Sequence, residues 1–482
     1  MEKSVSKENE MPNYDGFKNC LREAAILFDA IPKKEPIKVI GHLDADGLCS
    51  SAILINALMK SNRKYSLTIL PTITEDALNT LRDEHEKYFV FVDLGSGSID
   101  LIGRLLDAKQ VFILDHHILQ SNKGYKNILQ INPHLYNIDG SNEVSGSGVV
   151  FLFSQYLTDG KNTDMSRIAV VGAIGDVQER NGFKRLNNEI LEIAIKNNLI
   201  EVRKGLKFFG VQTKPIYKLL QYSSDIAIPG VTGSESGSIS FLTNLGIDPK
   251  NKKGWKKIAD LTSDEQKKLI AGIIMRRNGV ANPGDIFSNN YLLIGEEDDS
   301  PFRDAKEFST LLNSCGRLEK ASIGIGACLN DKKMKQQAVD NLSTYRKEIV
   351  NALNWYKDNK DSGKIIRKKN CIIINAEDDV MPTMIGTLGS ILSKSADIER
   401  NIFILSLARN IDNTTKISLR ISGNPDNVNL KEIINMIIEK INHGSSGGHV
   451  FASGAVIDTE KEDVFIKAAL EIFDGYTVEE SI

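Results

Sequence analysis

Along the first 200 residues, short apolar runs alternate with stretches whose apolar positions recur at helical spacing. IKVIGHLDAD (37–46), YSLTILPTI (65–73), YFVFVDLG (88–95) and QVFILDHH (110–117) are four such runs. DALNTLRDEHEK and SIDLIGRLLDAK, between them, keep an amphipathic helical period. Apolar strands separated by helices predict a parallel, doubly wound α/β sheet buried on both faces. Beyond it, SGSGVVFLFSQYL (145–157) predicts a helix, and SRIAVVGAIGDV (166–177) a helix or buried run ending in Asp176.

The pattern then changes. Residues 185–290 read mostly as helices, with the Gly/Ser-rich GVTGSESGSIS (230–240) as a loop or helix N-terminus. DKKMKQQAVDNLSTYRKEIVNALNWYKDN (331–359) predicts one long amphipathic helix. Strand patterns resume in RKKNCIIINAED (367–378), NIFILSLAR (401–409) and KISLRIS (416–422). The helix NLKEIINMIIEKIN (429–442) and the Gly-rich HGSSGGHVFASGAVI (443–457) follow. The expected organisation is a doubly wound domain over 15–200, a helical insertion and connector over 201–362, and a smaller α/β domain over 363–482. A chain of 482 residues is too long for one core, which agrees with that division.

Composition narrows the chemistry. No run approaches the roughly 18 apolar residues of a membrane span, and the polar start MEKSVSKENEMPNYDG is no signal peptide, so the cytoplasm is the expected compartment. The five cysteines (Cys20, Cys49, Cys315, Cys328, Cys371) form no C-x-x-C pair, which argues against zinc, iron–sulfur or disulfide frameworks. A bound metal would then take oxygen and nitrogen ligands, which suits manganese or magnesium. Residues 201–280 carry 14 Lys/Arg against 7 Asp/Glu, a local charge of +7, within a chain of net charge −3. That segment either attracts phosphate backbones or is a solvated helical face. Trp255, among its lysines, and Trp355 read as packing residues, with base stacking conceivable for Trp255.

The candidate chemistry sits at run ends. His42, Asp44 and Asp46 follow the first run at every second residue, so an extended segment would point all three to one side. Asp93 ends the third run, Asp115-His116-His117 the fourth, and Asp176 the later VGAIGDV. In an open α/β sheet, ligands bind in the crevice at the carboxyl ends of the strands. Asp44, Asp46, Asp93, Asp176, His42 and His116 suffice for two divalent ions about 4 Å apart with Asp93 between them, a device for phosphoester hydrolysis. No G-x-S-x-G elbow and no G-x-x-x-x-G-K-[ST] loop is present, which removes serine-nucleophile and ATPase readings.

HLDADG, VDLG, DHH and IGDV, in that order, resemble the four motifs of the DHH phosphoesterases. GGHVFASG (447–454) resembles the Gly-Gly-His motif of the accessory DHHA1 domain. INPH (131–134), SGSG (145–148) and LLNSCGRLEKASIGIG (311–326) are further matches, and the last resembles the archaeal RecJ-like nucleases, including the nuclease associated with the GINS replication complex. The resemblance covers residues 20–200 and 365–482. It implies metal ligation by Asp44, Asp46, Asp93, His116 and Asp176, with His42 as a sixth ligand where bacterial RecJ more commonly has an acid. It gives His117 the scissile phosphate and Asp115 the task of orienting a neighbouring imidazole. Gly447, Gly448 and His449 match a phosphate-binding loop, and Arg420 a basic residue of the same cleft; Arg317 either meets phosphate or pairs with Glu319. His134 reads as structural.

The activity implied is a two-metal (Mn²⁺ or Mg²⁺) exonuclease on single-stranded DNA or RNA, 5′→3′ on DNA by analogy. GINS and the replicative helicase are the implied partners. Two rivals stand beside it: a phosphodiesterase for oligonucleotides or cyclic dinucleotides, and a helicase-associated scaffold with secondary activity. The non-catalytic helicase cofactor of the superfamily has lost much of the ligand set that this chain keeps, which favours activity.

Overall fold

The structure is a computed structural model. It describes residues 11–475 apart from 122, 181, 224, 225, 280, 281, 396 and 424–427, and only the backbone at 283, 284 and 449. The chain forms two compact units, one up to Asn341 and one from Leu342 onward.

In the first unit, α1 (Tyr14–Asp29) precedes β1 (Ile37–His42), α2 (Ala45–Lys60), β2 (Tyr65–Leu70), α3 (Glu75–Arg82) and β3 (Tyr88–Val92). Then come α4 (Ile99–Leu105), β4 (Gln110–Leu114) and β5 (Ile128–Ile131). The sheet order is β2-β1-β3-β4-β5, with every neighbouring pair parallel. The chain leaves β1 for β2 on one side and returns to β3 on the other, so the strand order reverses beside β1. The crevice expected at such a switch point lies past the C-terminal ends of β1 and β3. The doubly wound expectation therefore holds, with one strand more than the apolar runs indicated. ILQI of β5 is short and mostly half-buried at the sheet edge, so it lacks the continuous apolar signal of an inner strand.

Helices α5 (Gly146–Leu157), α6 (Ser166–Gly175) and α7 (Arg185–Lys196) complete the fold around the sheet. α2 is apolar on nearly all sides and packs against α5 and α6. SRIAVVGAIG is thus helical, and Asp176 caps a helix C-terminus instead of ending a strand.

The stretch after α7 is less helical than its composition suggested. β6 (Ile200–Leu206) comes first, and α8 (Ile216–Gln221) and α9 (Glu235–Asn244) follow. Next are the two-residue strands β7 (Lys250–Asn251) and β8 (Gly254–Trp255), then α10 (Ser263–Arg276) and β9 (Phe287–Leu293). β6 pairs antiparallel with β9 across the whole insertion, from Ile200 opposite Leu293 to Leu206 opposite Phe287. That pairing joins residues about 90 apart and leaves no trace in local periodicity. The segment between the two strands has its own core, in which Leu219, Leu220, Phe241, Leu242, Leu269 and Ile273 are buried together. α11 (Ala305–Arg317) and α12 (Ala321–Cys328) return to pack on α2. α13 (Lys332–Asp358), the expected long helix, crosses the boundary between the units.

The second unit contains β10 (Ile365–Arg367), β11 (Cys371–Asn375), α14 (Pro382–Leu392), β12 (Phe403–Arg409) and β13 (Thr414–Ile421). α15 (Leu430–Ile441), β14 (Ser445–His449), β15 (Ala452–Asp458) and α16 (Glu462–Gly475) complete it. Its mixed sheet runs β10-β11-β12-β13-β15-β14, parallel only between β11 and β12. Phe403, Leu405 and Leu407 alternate along β12 into a core with Leu430, Ile434, Phe465 and Phe473 of α15 and α16. α14 packs on β12 and β13.

Candidate metal centre

His42 is the last residue of β1, and the extended backbone stops there. Asp44 is the N-cap of α2, its carboxylate accepting Gly47 N–H at 3.0 Å, and Asp46 sits in the first helical turn. The three side chains meet because strand, cap and first turn each aim one of them at the crevice, not by the alternation of a longer strand. Asp46 is buried, and its carboxylate accepts Gly146 N–H at 2.7 Å and Ser147 N–H at 3.1 Å from the first turn of α5. An anion at that end is favoured by the helix dipole. A Cβ on Gly172 would lie 2.4 Å from Asp46 Oδ1, so α6 can approach only with glycine there.

Asp93 follows β3 with φ +61°, a left-handed conformation that costs a non-glycine residue about 1–2 kcal/mol. It is 1% exposed, and neither carboxylate oxygen has a well-aligned hydrogen-bond donor among the described residues. Facing them are His116 Nε2, 3.3 Å from Oδ1, and His42 Nδ1, 3.7 Å from Oδ2. Buried carboxylate oxygens faced only by imidazoles at these distances leave room for a cation.

Asp115 is the opposite case. Its carboxylate accepts the backbone N–H groups of Ser96, His116 and His117 at 2.9, 2.8 and 3.2 Å, and His117 Nδ1 lies 2.7 Å away. With these bonds made, it is placed to orient His117. His116 donates Nδ1–H to Gly140 O at 2.6 Å, which fixes the tautomer and turns Nε2 to the acids. Nε2 lies 3.7 Å from Asp176 Oδ2 and 3.9 Å from Asp46 Oδ2.

Two triads result, His42 with Asp44 and Asp93 and Asp46 with His116 and Asp176, each with three donor atoms within 4.8 Å of one another; Asp93, Asp115, His116 and His117 form a third group that meets the same distance. Asp93 faces both. All six residues expected as ligands are therefore gathered in one crevice, with Asp115 and His117 beside them.

The charges explain the titration behaviour. Burial disfavours the cation on His42, but Asp44 and Asp93 outweigh it and hold the imidazole well above its ordinary pKa. His116 is likewise raised, burial being overcome by Asp93, Asp176 and Asp46, and His117 is raised by Asp115 against the same burial. Asp46 is pushed well up by burial and by Asp93, and Asp176 up by burial foremost. Asp44 and Asp115 are depressed: burial works against that, and His42 and His117 respectively prevail. The upward shifts share one cause, buried carboxylates crowded together, which bound cations would also relieve. An all-oxygen-and-imidazole donor set around orphaned buried carboxylate oxygens fits Mn²⁺ or Mg²⁺.

Several supporting residues escaped the sequence reading. Gln178 donates to Asp176 Oδ2 at 2.7 Å and to Gly140 O at 2.9 Å, tying one ligand to the carbonyl that orients another. Asn187 in turn donates to Gln178 Oε1 at 2.7 Å. Asn132, in the INPH stretch, holds Ser96 Oγ and His117 O at 2.8 and 2.9 Å. Asn313 Oδ1 accepts Ala45 N–H at 3.0 Å, anchoring the loop between β1 and α2. Gly316 lies so close to that loop that a Cβ would sit 1.6 Å from Leu43 O, and Arg317 follows it at the end of α11. INPH contains Asn132, and LLNSCGRLEKASIGIG contains Asn313 and Gly316, so three of these lay in motifs visible in the sequence; Gln178 and Asn187 had no such signal. His134 lies outside both triads, with its pKa lowered by burial.

In the second unit, Arg420 on β13 donates to Ser390 Oγ at 2.9 Å, Leu419 O at 2.8 Å and Ser453 O at 3.3 Å. Ser453 Oγ donates to Gly447 O at 2.8 Å, so Arg420 and the Gly-Gly stretch of β14 are joined through one serine. Gly448 has φ +122°, and a Cβ there would meet Ala452 O at 2.5 Å. The side chain of His449 lies outside the described residues.

Family profiles match three segments: the DHH family N-terminal domain over 36–175, the DHH-CID domain over 208–283 and the DHHA1 domain over 369–475. An uncharacterised protein of Methanocaldococcus jannaschii is 31% identical over 448 residues, covering 90% of this chain and 93% of its own. The single-stranded-DNA-specific exonuclease RecJ of Thermus thermophilus is 29% identical over 177 residues, 34% of this chain and 26% of RecJ. Among solved structures, RecJ of T. thermophilus in complex with Mn²⁺ gives a TM-score of 0.58 at 16% identity, covering 95% of this chain but 55% of RecJ. CDC45 of Entamoeba histolytica gives 0.59 at 13% identity, covering 96% and 98%. At these identities the solved structures establish a shared fold. No helix among the described residues is long and apolar enough to cross a membrane.

Proposed function

The chain belongs to the DHH family, and from that premise we propose that it is a metal-dependent exonuclease acting on single-stranded nucleic acid. The observation that carries this reading is Asp93, a buried carboxylate without aligned donors that faces both triads. His42, Asp44 and Asp93 would hold one divalent ion and Asp46, His116 and Asp176 the other, with Asp93 shared. Two such ions supply an activated water and neutralise charge at the phosphorus under attack.

The protein's own groups do the remainder. Gly146 and Ser147 N–H set Asp46, and Gly140 O sets the His116 tautomer. Asp115 holds His117 by Nδ1 and favours its cationic form, so that Nε2 can donate to a non-bridging phosphate oxygen. Gly447, Gly448, His449 and Arg420 are assigned to the substrate's terminal phosphate, and Arg317 to phosphate near the first unit's site. The name of the T. thermophilus relative supports single strands as substrate, and the RecJ structures with Mn²⁺ and Mg²⁺ support either ion. Polarity is assigned as 5′→3′ by the same analogy.

The test is hydrolysis of single strands bearing 5′- or 3′-phosphate ends, with Mn²⁺ or Mg²⁺, by wild type and Asp93→Ala. Stepwise release of mononucleotides from the 5′ end by wild type alone is expected. Absence of strand hydrolysis at saturating Mn²⁺ would overturn the reading, and preference for dinucleotides over long strands would favour the small-substrate rival. A second reading, a scaffold for GINS and the replicative helicase, draws support from the fold shared with CDC45 over nearly both full lengths. A cellular or helicase-stimulating role that survives Asp93→Ala intact would favour it.

A further inference from the structure

Within the segment 208–283, a row of aromatic rings and lysines stands apart from the metal centre. Trp255, on β8, is 37% exposed, and its ring centroid lies 4.3 Å from that of Tyr217, which is buried. Lys250 Nζ sits 4.4 Å from the indole centroid. Lys218 Nζ is 5.1 Å from the Tyr217 ring and 5.5 Å from that of Tyr222, which is 61% exposed. Lys218 also pairs with Glu235 at 2.7 Å. The turn between β7 and β8 adds exposed Lys252 and Lys253, tightened by Lys253 N–H to Asn251 Oδ1 at 2.8 Å and by Gly254 at φ +118°. Among the described residues, Lys250, Lys252 and Lys253 make no ion pair with an acid.

The base of this hairpin is fixed. Ile216 N–H donates to Lys256 O at 2.9 Å, and Lys256 pairs with Glu265 at 2.7 Å. Trp255 thus has one buried neighbour in Tyr217 and one flexible neighbour in Lys250, whose long side chain can turn away. An exposed indole beside a buried tyrosine, with Lys250 4.4 Å from its ring and two exposed lysines in the adjoining turn, matches what unpaired bases and their phosphates require.

We propose that this Trp255 face is a second binding surface for single-stranded nucleic acid, taking a base on the indole and phosphates on Lys250, Lys252 and Lys253. The proposal does not depend on the nuclease reading, because binding is measured without divalent ions. An acidic protein surface is the competing occupant. It too would use the lysines, and an exposed indole would serve either occupant, so strand binding itself decides between them.

The chain has two tryptophans, so Trp355→Phe leaves Trp255 as the one reporter. In EDTA, a long polythymidine strand is expected to quench its emission. W255A should bind that strand about 10-fold more weakly, in line with the loss of one stacked base. K250E, K252E and K253E combined should flatten the salt dependence of log K by about 2. Mn²⁺ binding is expected to be unchanged in both variants, which also shows that the first unit remains folded. If W255A is misfolded, the lysine variant decides. Wild-type strand affinity and salt slope in the lysine variant, or unquenched Trp255 emission, overturns the proposal and leaves the face to a protein partner.

Discussion

Asp115 and Asp93 are both buried aspartates at strand ends, yet their surroundings give them different work. Asp115→Asn keeps the shape but weakens the hold on His117. Turnover is expected to drop about 10–100-fold, as for other supporting bonds at metal centres, while Mn²⁺ affinity measured by calorimetry stays within a few-fold. Such a split between binding and rate separates an orienting group from a ligand. The pH dependence of stability follows from the same cluster. In metal-free protein Asp46 and Asp176 lie above the ordinary 3.8, and His42, His116 and His117 above 6.5. These five bind protons more tightly in the folded state, so they lower stability as pH rises. The histidine contribution is complete below 6.5 and is lost as pH climbs through the folded values. The penalty from the two acids builds from 3.8 upward. Asp44 and Asp115 act the other way, contributing above 3.8 and losing that contribution as pH falls through their depressed values. In EDTA, the melting temperature should therefore decline from neutral to alkaline pH, and saturating Mn²⁺ should remove the decline. A melting temperature that rises over that range in EDTA contradicts the assignment. Residue identity was the most legible layer in the sequence, because carboxylates and imidazoles at the ends of apolar runs need partners wherever they are buried.

At the scale of elements, the crevice depends on helices approaching the loop after β1. α11 does so through Gly316, where any side chain meets the Leu43 carbonyl. Gly316→Ala is expected to destabilise the protein by about 1–3 kcal/mol, as overpacking does, and to weaken Mn²⁺ binding, because the displaced loop carries Asp44. Urea midpoints and a Mn²⁺ titration check both; a variant with native stability would mean that the loop yields freely. Inner strands and the long α13 were legible because their periodicity is local. β5 and the β6–β9 pair were not, the first because an edge strand is only half apolar, the second because its partner is supplied from far along the chain. The ending of β1 at His42 was also hidden: Asp44 is a good N-cap residue, and an N-cap competes with continued strand for the same sequence.

At the scale of the whole molecule, the chain divides into two compact units at a boundary that falls within the sequence of α13, and among the described residues the candidate triads belong to the first. Calorimetric unfolding is expected to depart from a single two-state transition. Mn²⁺ at 100 times its dissociation constant should stabilise one transition by about 2.7 kcal/mol for each ion bound and leave the other in place. One transition shifting as a block would mean that the units unfold together. What the sequence alone determined was the fold class and the ordered acid and histidine motifs with their oxygen and nitrogen donors, since each depends on residue identity and short-range period. Only the tertiary structure decided that Asp93 stands between the triads without aligned donors, that Asp115 is saturated, and that Gln178 and Gly316 support the site. Those facts depend on distances between residues that no local pattern encodes, set when parallel strands and their helices close around the switch point.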